Sequence, residues 1–150
     1  MGTYNDLQRE LDEVINRVRS HREALLKSAT SLTEAAIQLL GAPEEHVTLQ
    51  IPAEESLSQF LGPTGERADA RSLKFDLIVK FGDGKGGLVH ESRAPIRLRL
   101  NRHGVEVSIA GEGPFHWQPG TSAPYGVENA LSEYLRKGVR RRADLTVLTN

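Results

Sequence analysis

The chain has 150 residues, of which 38% are apolar and 26% charged, with a net charge of −1 and no cysteine. Length and composition suit one globular domain that buries a core without staples, and they exclude a disordered or fibrous chain. The lack of cysteine excludes disulfides, thiol catalysis and cysteine-ligated zinc, and no apolar run approaches the roughly 18 residues that cross a bilayer.

The start MGTYNDLQRELDE is polar and acidic, unlike a secretory signal, so the expectation is a soluble, cytoplasmic protein with no membrane association. Charge is uneven. Residues 1–60 hold five basic and ten acidic side chains (net −5), and residues 61–150 hold fourteen and ten (net +4). The whole carries no field that would favour nucleic acid.

Residues 1–40 contain no proline, and no glycine after Gly2. Tyr4, Leu7, Leu11, Val14, Val18, His21, Leu25, Ser28, Leu32, Ala35 and Leu39 alternate at spacings of three and four, a heptad seam over about five heptads. The spacing predicts one long helix over 1–40, capped by Thr3 or Asn5 and stopped by Gly41-Ala-Pro43, set against an α+β body over 41–150. Up to residue 22 the apolar stripe is narrow. From Ala24 to Leu40 apolar residues surround most of the helix, which predicts burial on several faces. The second half is therefore expected to pack on the body, and the first to project. Leu7, Leu11, Val14, Val18, His21 and Leu25 are the candidate self-association residues. Apolar Ile15, Ala29 and Ala36 beside the seam, and Arg17 facing Arg22 across a parallel pair, argue against a simple two-stranded coil. The seam is thus either an interface or core packing.

HVTLQI (46–51) alternates as a half-buried strand, and PAEESLSQFLG predicts a short helix opened by Pro52, followed by a loop over 63–71. LKFDLIVKF (73–81), LVHES (88–92), APIRLRL (94–100) and GVEVSIAG (104–111) predict an antiparallel meander with one covered and one wet face. Opposing Leu100 and Val105 across the turn Asn101–Gly104 sets Arg99 opposite Glu106 on the outer face. The segment 111–124, rich in Gly and Pro, is expected to be a loop carrying Phe115, His116 and Trp117. These aromatics either cap the core, the preferred reading, or contact a partner through Phe115 and Trp117. A second helix follows, with Val127, Leu131, Tyr134 and Leu135 inward. It either stops at Gly138 or continues through Arg142, and ADLTVLT is either a last strand or a tail. The fold class expected is α+β, with a mainly antiparallel sheet of four to five strands between two helices.

No stretch carries a catalytic signature. FGDGKGGL (81–88) places Gly86, not Ser or Thr, after Lys85, and a strand rather than a helix follows. It reads as a hairpin turn, not a phosphate loop. The five histidines lack ligand spacing, and a composite site around His90 and His116 is the one enzymatic alternative. Neither a cofactor nor a metal is called for. Arg97, Arg99 and Arg102 near one strand face, with Arg136, Lys137, Arg140, Arg141 and Arg142 near the C-terminus, suggest nucleic acid or another anion as a possible ligand. The strands, however, lack exposed aromatics for stacking bases. The expectation is a non-enzymatic interaction or adaptor protein that forms homo-oligomers through its first helix and binds another protein. The alternative is an anion- or nucleic-acid-binding module.

Overall fold

The computed structural model describes residues 2–51, 60–61, 69–119, 121–122 and 124–148, with the backbone alone over 143–148. Most of the short helix expected over 52–62, all but residues 60–61, and most of the loop expected over 63–71 lie outside the described residues. The elements are α1 (Thr3–Leu40), β1 (Val47–Gln50), β2 (Ser72–Gly82), β3 (Leu88–Asn101), β4 (Gly104–Ile109), β5 (Glu112–Trp117) and α2 (Tyr125–Leu148). The fold is α+β, with five antiparallel strands in the order β1-β2-β3-β4-β5.

Alternation along each strand sends one set of side chains inward. Leu73, Phe75, Leu77 and Val79 of β2 meet Ala94, Ile96 and Leu98 of β3, and Val105, Val107 and Ile109 of β4 extend the same face. Leu25, Ala29, Leu32 and Ala36 of α1 close this layer, together with Val127, Ala130, Leu131 and Leu135 of α2. Both helices thus cover one face of the sheet, and the other face carries Lys74, Arg97, Arg99 and Glu106. The register pairs Leu100 with Val105 and Arg99 with Glu106, as the turn spacing predicts. The two stretches 88–92 and 94–100 form one continuous strand.

Helix α1 begins at Thr3 with Gly2 at its N-cap and no side-chain cap, and Gly41 ends it at φ 62°, donating its N–H to the Gln38 carbonyl. Its 38 residues span about 57 Å. Residues 3–13 are exposed throughout, Val18 is the first buried residue, and the core shared with the sheet begins at Leu25. Arg22 pins the helix where it meets the body. It is buried, its Nη1 donates to the Ala70 and Ser72 carbonyls, and its guanidinium lies 5.0 Å from the centre of the Phe60 ring. Arg22→Met keeps the apolar stem but strands both carbonyls. It is expected to lower stability by about 2–3 kcal/mol, read from the midpoint of denaturant unfolding.

The turn after β2 is built on Asp83. Its Oδ1 accepts the Lys85 N–H at 2.7 Å and the Gly87 N–H at 3.1 Å, while its own N–H donates to the Gly87 carbonyl at 2.9 Å. Amides that would have to face a phosphate are taken by this carboxylate, so the segment works as a hairpin.

Besides the cap of α1, which falls on Gly2 and not on Thr3 or Asn5, two expectations need correction. Residues 112–117 form β5 rather than a loop. Ala110 (φ 51°) and Gly111 (φ 84°) make a two-residue turn that pairs Ile109 with Glu112. Pro114 is tolerated because β5 is an edge strand. The second correction concerns ADLTVLT, where helix α2 passes through Gly138 and runs on to Leu148 instead of giving way to a strand or a tail. A Cβ at Gly138 would stand 3.2 Å from Ser92 Oγ, so glycine there lets the helix lie close on β3. Its propensity cost of about 1 kcal/mol is too small to end the helix.

Candidate functional site

Two surfaces stand out, and both lie where α1 leaves the body. The first is the projecting part of α1. Tyr4, Leu7 and Leu11 are 74%, 57% and 43% exposed, on the stripe that further along becomes core. Val14 is half-buried. Val18 and Leu25 are already covered by the chain's own fold, so among the candidate self-association residues Leu7, Leu11 and Val14 are the ones open to a partner. His21 points elsewhere, into the second surface.

That second surface is a cleft of about 600 Å³ lined by His21, Arg71, Arg99, Asn101, Arg102 and Glu106, with Leu100 at its floor. Several segments bring these groups together. Arg71 is held beside β3 because the Leu100 N–H donates to its carbonyl at 2.8 Å. The preceding turn is locked by Asp69, whose Oδ1 accepts the Arg71 N–H at 2.9 Å and whose Oδ2 accepts the Ser72 hydroxyl at 3.1 Å. The Arg71 amide outweighs the opposing effect of burial and holds the Asp69 carboxyl below the usual carboxylate range, and the Ser72 hydroxyl and the charges of Arg99 and Arg97 add lesser effects in the same direction. The turn is therefore strengthened above the ordinary aspartate pKa, and this is lost as pH falls through the lowered value. Arg102 sits at the tip of the β3–β4 turn, where Asn101 Oδ1 accepts the His103 N–H at 2.9 Å. Asn101 Nδ2 reaches Glu106 Oε1 at 3.5 Å and His116 Nδ1 at 3.3 Å. Among the described residues, the ion pairs within 4 Å are Lys27–Glu23 and Arg93–Glu91, and neither involves Arg71, Arg99 or Arg102.

The structure does not bring all the basic residues together. Arg97 and Arg99 occupy the outer face of the sheet, and Arg102 follows at the turn. Arg136, Lys137, Arg140, Arg141 and Arg142 ride on α2, on the other face, where Gly138 lies over Ser92. From Ser92 to Asn101 the strand runs about 30 Å. A single phosphate-tracking surface made of both groups is therefore not formed.

The histidines separate in the same way. His90 is on the helix-covered side, stacked on Phe81 at 5.8 Å and 2.9 Å from Ser92 Oγ. His116 is opposite Glu106 on the outer face, level with Arg99. Nine strand positions and the thickness of the sheet separate them, so they do not form a composite catalytic pair. Among the described residues, no cluster of three or more His, Asp or Glu has the geometry to hold a metal.

Trp117 closes the core at the sheet edge. It is 4% exposed, opposite Val105, and its indole N–H donates to the Thr121 carbonyl at 3.1 Å. Core capping, the preferred expectation, describes it, and burial removes it as a contact for a partner. Phe115 is half-buried, its ring so close to α2 that a Cβ at Gly126 would stand 2.5 Å from it. The part that sequence reasoning missed is the union of His21 and Arg71 with Arg99 and Arg102. The Asp-x-x-Ser turn at Asp69–Ser72 was its one local trace.

No helix among the described residues is long and apolar enough to cross a membrane. Set beside protein-family models, curated proteins and solved structures, the chain finds no match in any of the three comparisons.

Proposed function

We propose that the chain is a non-enzymatic interaction module that self-associates through the first turns of α1 and presents its sheet to another protein. One observation carries this reading. The apolar stripe of a 38-residue helix continues past the body as Tyr4, Leu7 and Leu11, exposed and unpartnered among the described residues. Residues 3–17 make an extension of about 22 Å. In water a lone helical segment of this length is marginal, since most helical stability comes from packing an apolar face. A second copy supplies that packing, because a seam with three-four spacing is self-complementary, as a two-fold interface requires. Arg22, which would oppose Arg17 of a parallel neighbour, is turned into its own body, which removes that objection to pairing. The surface left for a different protein is the outer sheet face, since Trp117 is buried.

Native mass spectrometry and sedimentation of the full chain over a range of concentrations test the reading. The expected result is a dimer or larger assembly that dissociates on dilution. A monomer at every concentration would remove it.

A further inference from the structure

Beyond self-association, we propose that the cleft at the root of α1 binds a phosphorylated small molecule, with Arg71, Arg99 and Arg102 gripping the phosphate. The charges come first. Arg71, Arg99 and Arg102 place three positive charges around the cleft and Glu106 supplies one negative, a net of +2 for its lining. A phosphomonoester dianion matches that surplus, whereas a single carboxylate leaves half of it uncompensated.

Geometry agrees with charge. The three arginines arrive from separate places: the turn before β2, the outer face of β3 and the β3–β4 turn. They line one cleft without forming an ion pair among the described residues. Guanidinium groups grip phosphate through paired N–H donors, and three around one cleft can surround its oxygens. Of the nearby carboxylates, Asp69 is bonded to the Arg71 amide and the Ser72 hydroxyl, and Glu106 stays in the cleft wall beside the Asn101 amide.

The rest of the cleft argues for more than a bare ion. A volume of about 600 Å³ leaves room for a small molecule and not only for an ion. Glu106, Asn101 and His21 line it with groups suited to hydroxyls and ring nitrogens. A nucleic-acid strand fits less well. The second basic cluster lies on the opposite face, and among the described residues the cleft is lined by no Phe, Tyr or Trp on which bases could stack.

Titration calorimetry on the full chain tests this with three probes: ribose 5-phosphate, inorganic phosphate and a short single-stranded DNA. Ribose 5-phosphate is expected to bind saturably at one site per chain, more tightly than inorganic phosphate. Arg99→Gln and Arg102→Gln should each weaken it about tenfold. Arg93→Gln, on the same strand but tied to Gln50 and Glu91, should leave it unchanged. Matching thermal melts would show that the variants are folded. Equal affinity for ribose 5-phosphate and inorganic phosphate overturns the small-molecule assignment. Equal effects of Arg99→Gln and Arg93→Gln overturn the site. DNA binding weakened alike by Arg99→Gln and by Arg140→Gln would show a diffuse polyanion surface and overturn it too.

Discussion

Leu7→Asp combined with Leu11→Asp is expected to turn the proposed assembly into monomers without unfolding the body. Both side chains stand on the projecting part of α1, 57% and 43% exposed within one chain, so a single chain loses little by the change. In a two-fold dimer each substitution acts twice, giving four lost side-chain burials. At about 1.5 kcal/mol for each, the association constant falls roughly ten-thousandfold. Burying four carboxylates adds to the loss. Two measurements read the outcome. Sedimentation should show the monomer at concentrations where the parent chain is assembled. Hydrogen exchange should show the amides of residues 3–13 protected in the assembled parent and exchanging fast in the variant, because an unpartnered extension frays. The body should melt as a folded monomer does. A variant that stays assembled would place the interface elsewhere and leave the seam as the edge of a core.

The second large effect is on stability. Trp117→Ala should cost about 3–5 kcal/mol, the range for deleting a large aromatic from a packed interior. For a chain of this length that lowers Tm by roughly 8–15 °C. The cause is local and specific. The indole fills the edge of the layer between β4 and the helices, and its N–H satisfies the Thr121 carbonyl, which the substitution leaves without that donor. Trp117 is the chain's one tryptophan, so its fluorescence in the native parent reports an apolar environment directly. A thermal melt matching the parent's would instead describe a surface contact residue. The same experiment separates two meanings of lost partner binding, since a variant that has lost its fold loses its partner for that reason alone.

The two surfaces meet at α1. Its first turns carry the exposed stripe, His21 lines the cleft, and Arg22 anchors the helix to the carbonyls of Ala70 and Ser72 beside Arg71. The self-association and the phosphate binding proposed above would then share one helix. Movement of its root would alter the cleft, and occupation of the cleft would bear on the root.

What could be read along the chain was whatever repeats at short range. The three-four spacing from Tyr4 to Leu39 was enough for one long helix, and the change in its width near residue 22 was enough to say which half meets the body. Alternation over 73–81 and 94–109 defined the covered face of the sheet, and the single turn at Asn101–Gly104 set Arg99 opposite Glu106. Each of these follows from backbone periodicity and a neighbouring turn, so a window of a few residues contains it. Strand β5 escaped because Gly111, Gly113 and Pro114 have loop composition, and an edge strand tolerates what a central one does not. The fates of Trp117, of the two histidines and of the basic clusters depended on which face each element turns and which strand it lies against. Those are settled by packing between residues far apart in sequence. His21, Arg71 and Arg99 share a cleft because α1 crosses the end of the sheet, an arrangement that no local pattern among them records.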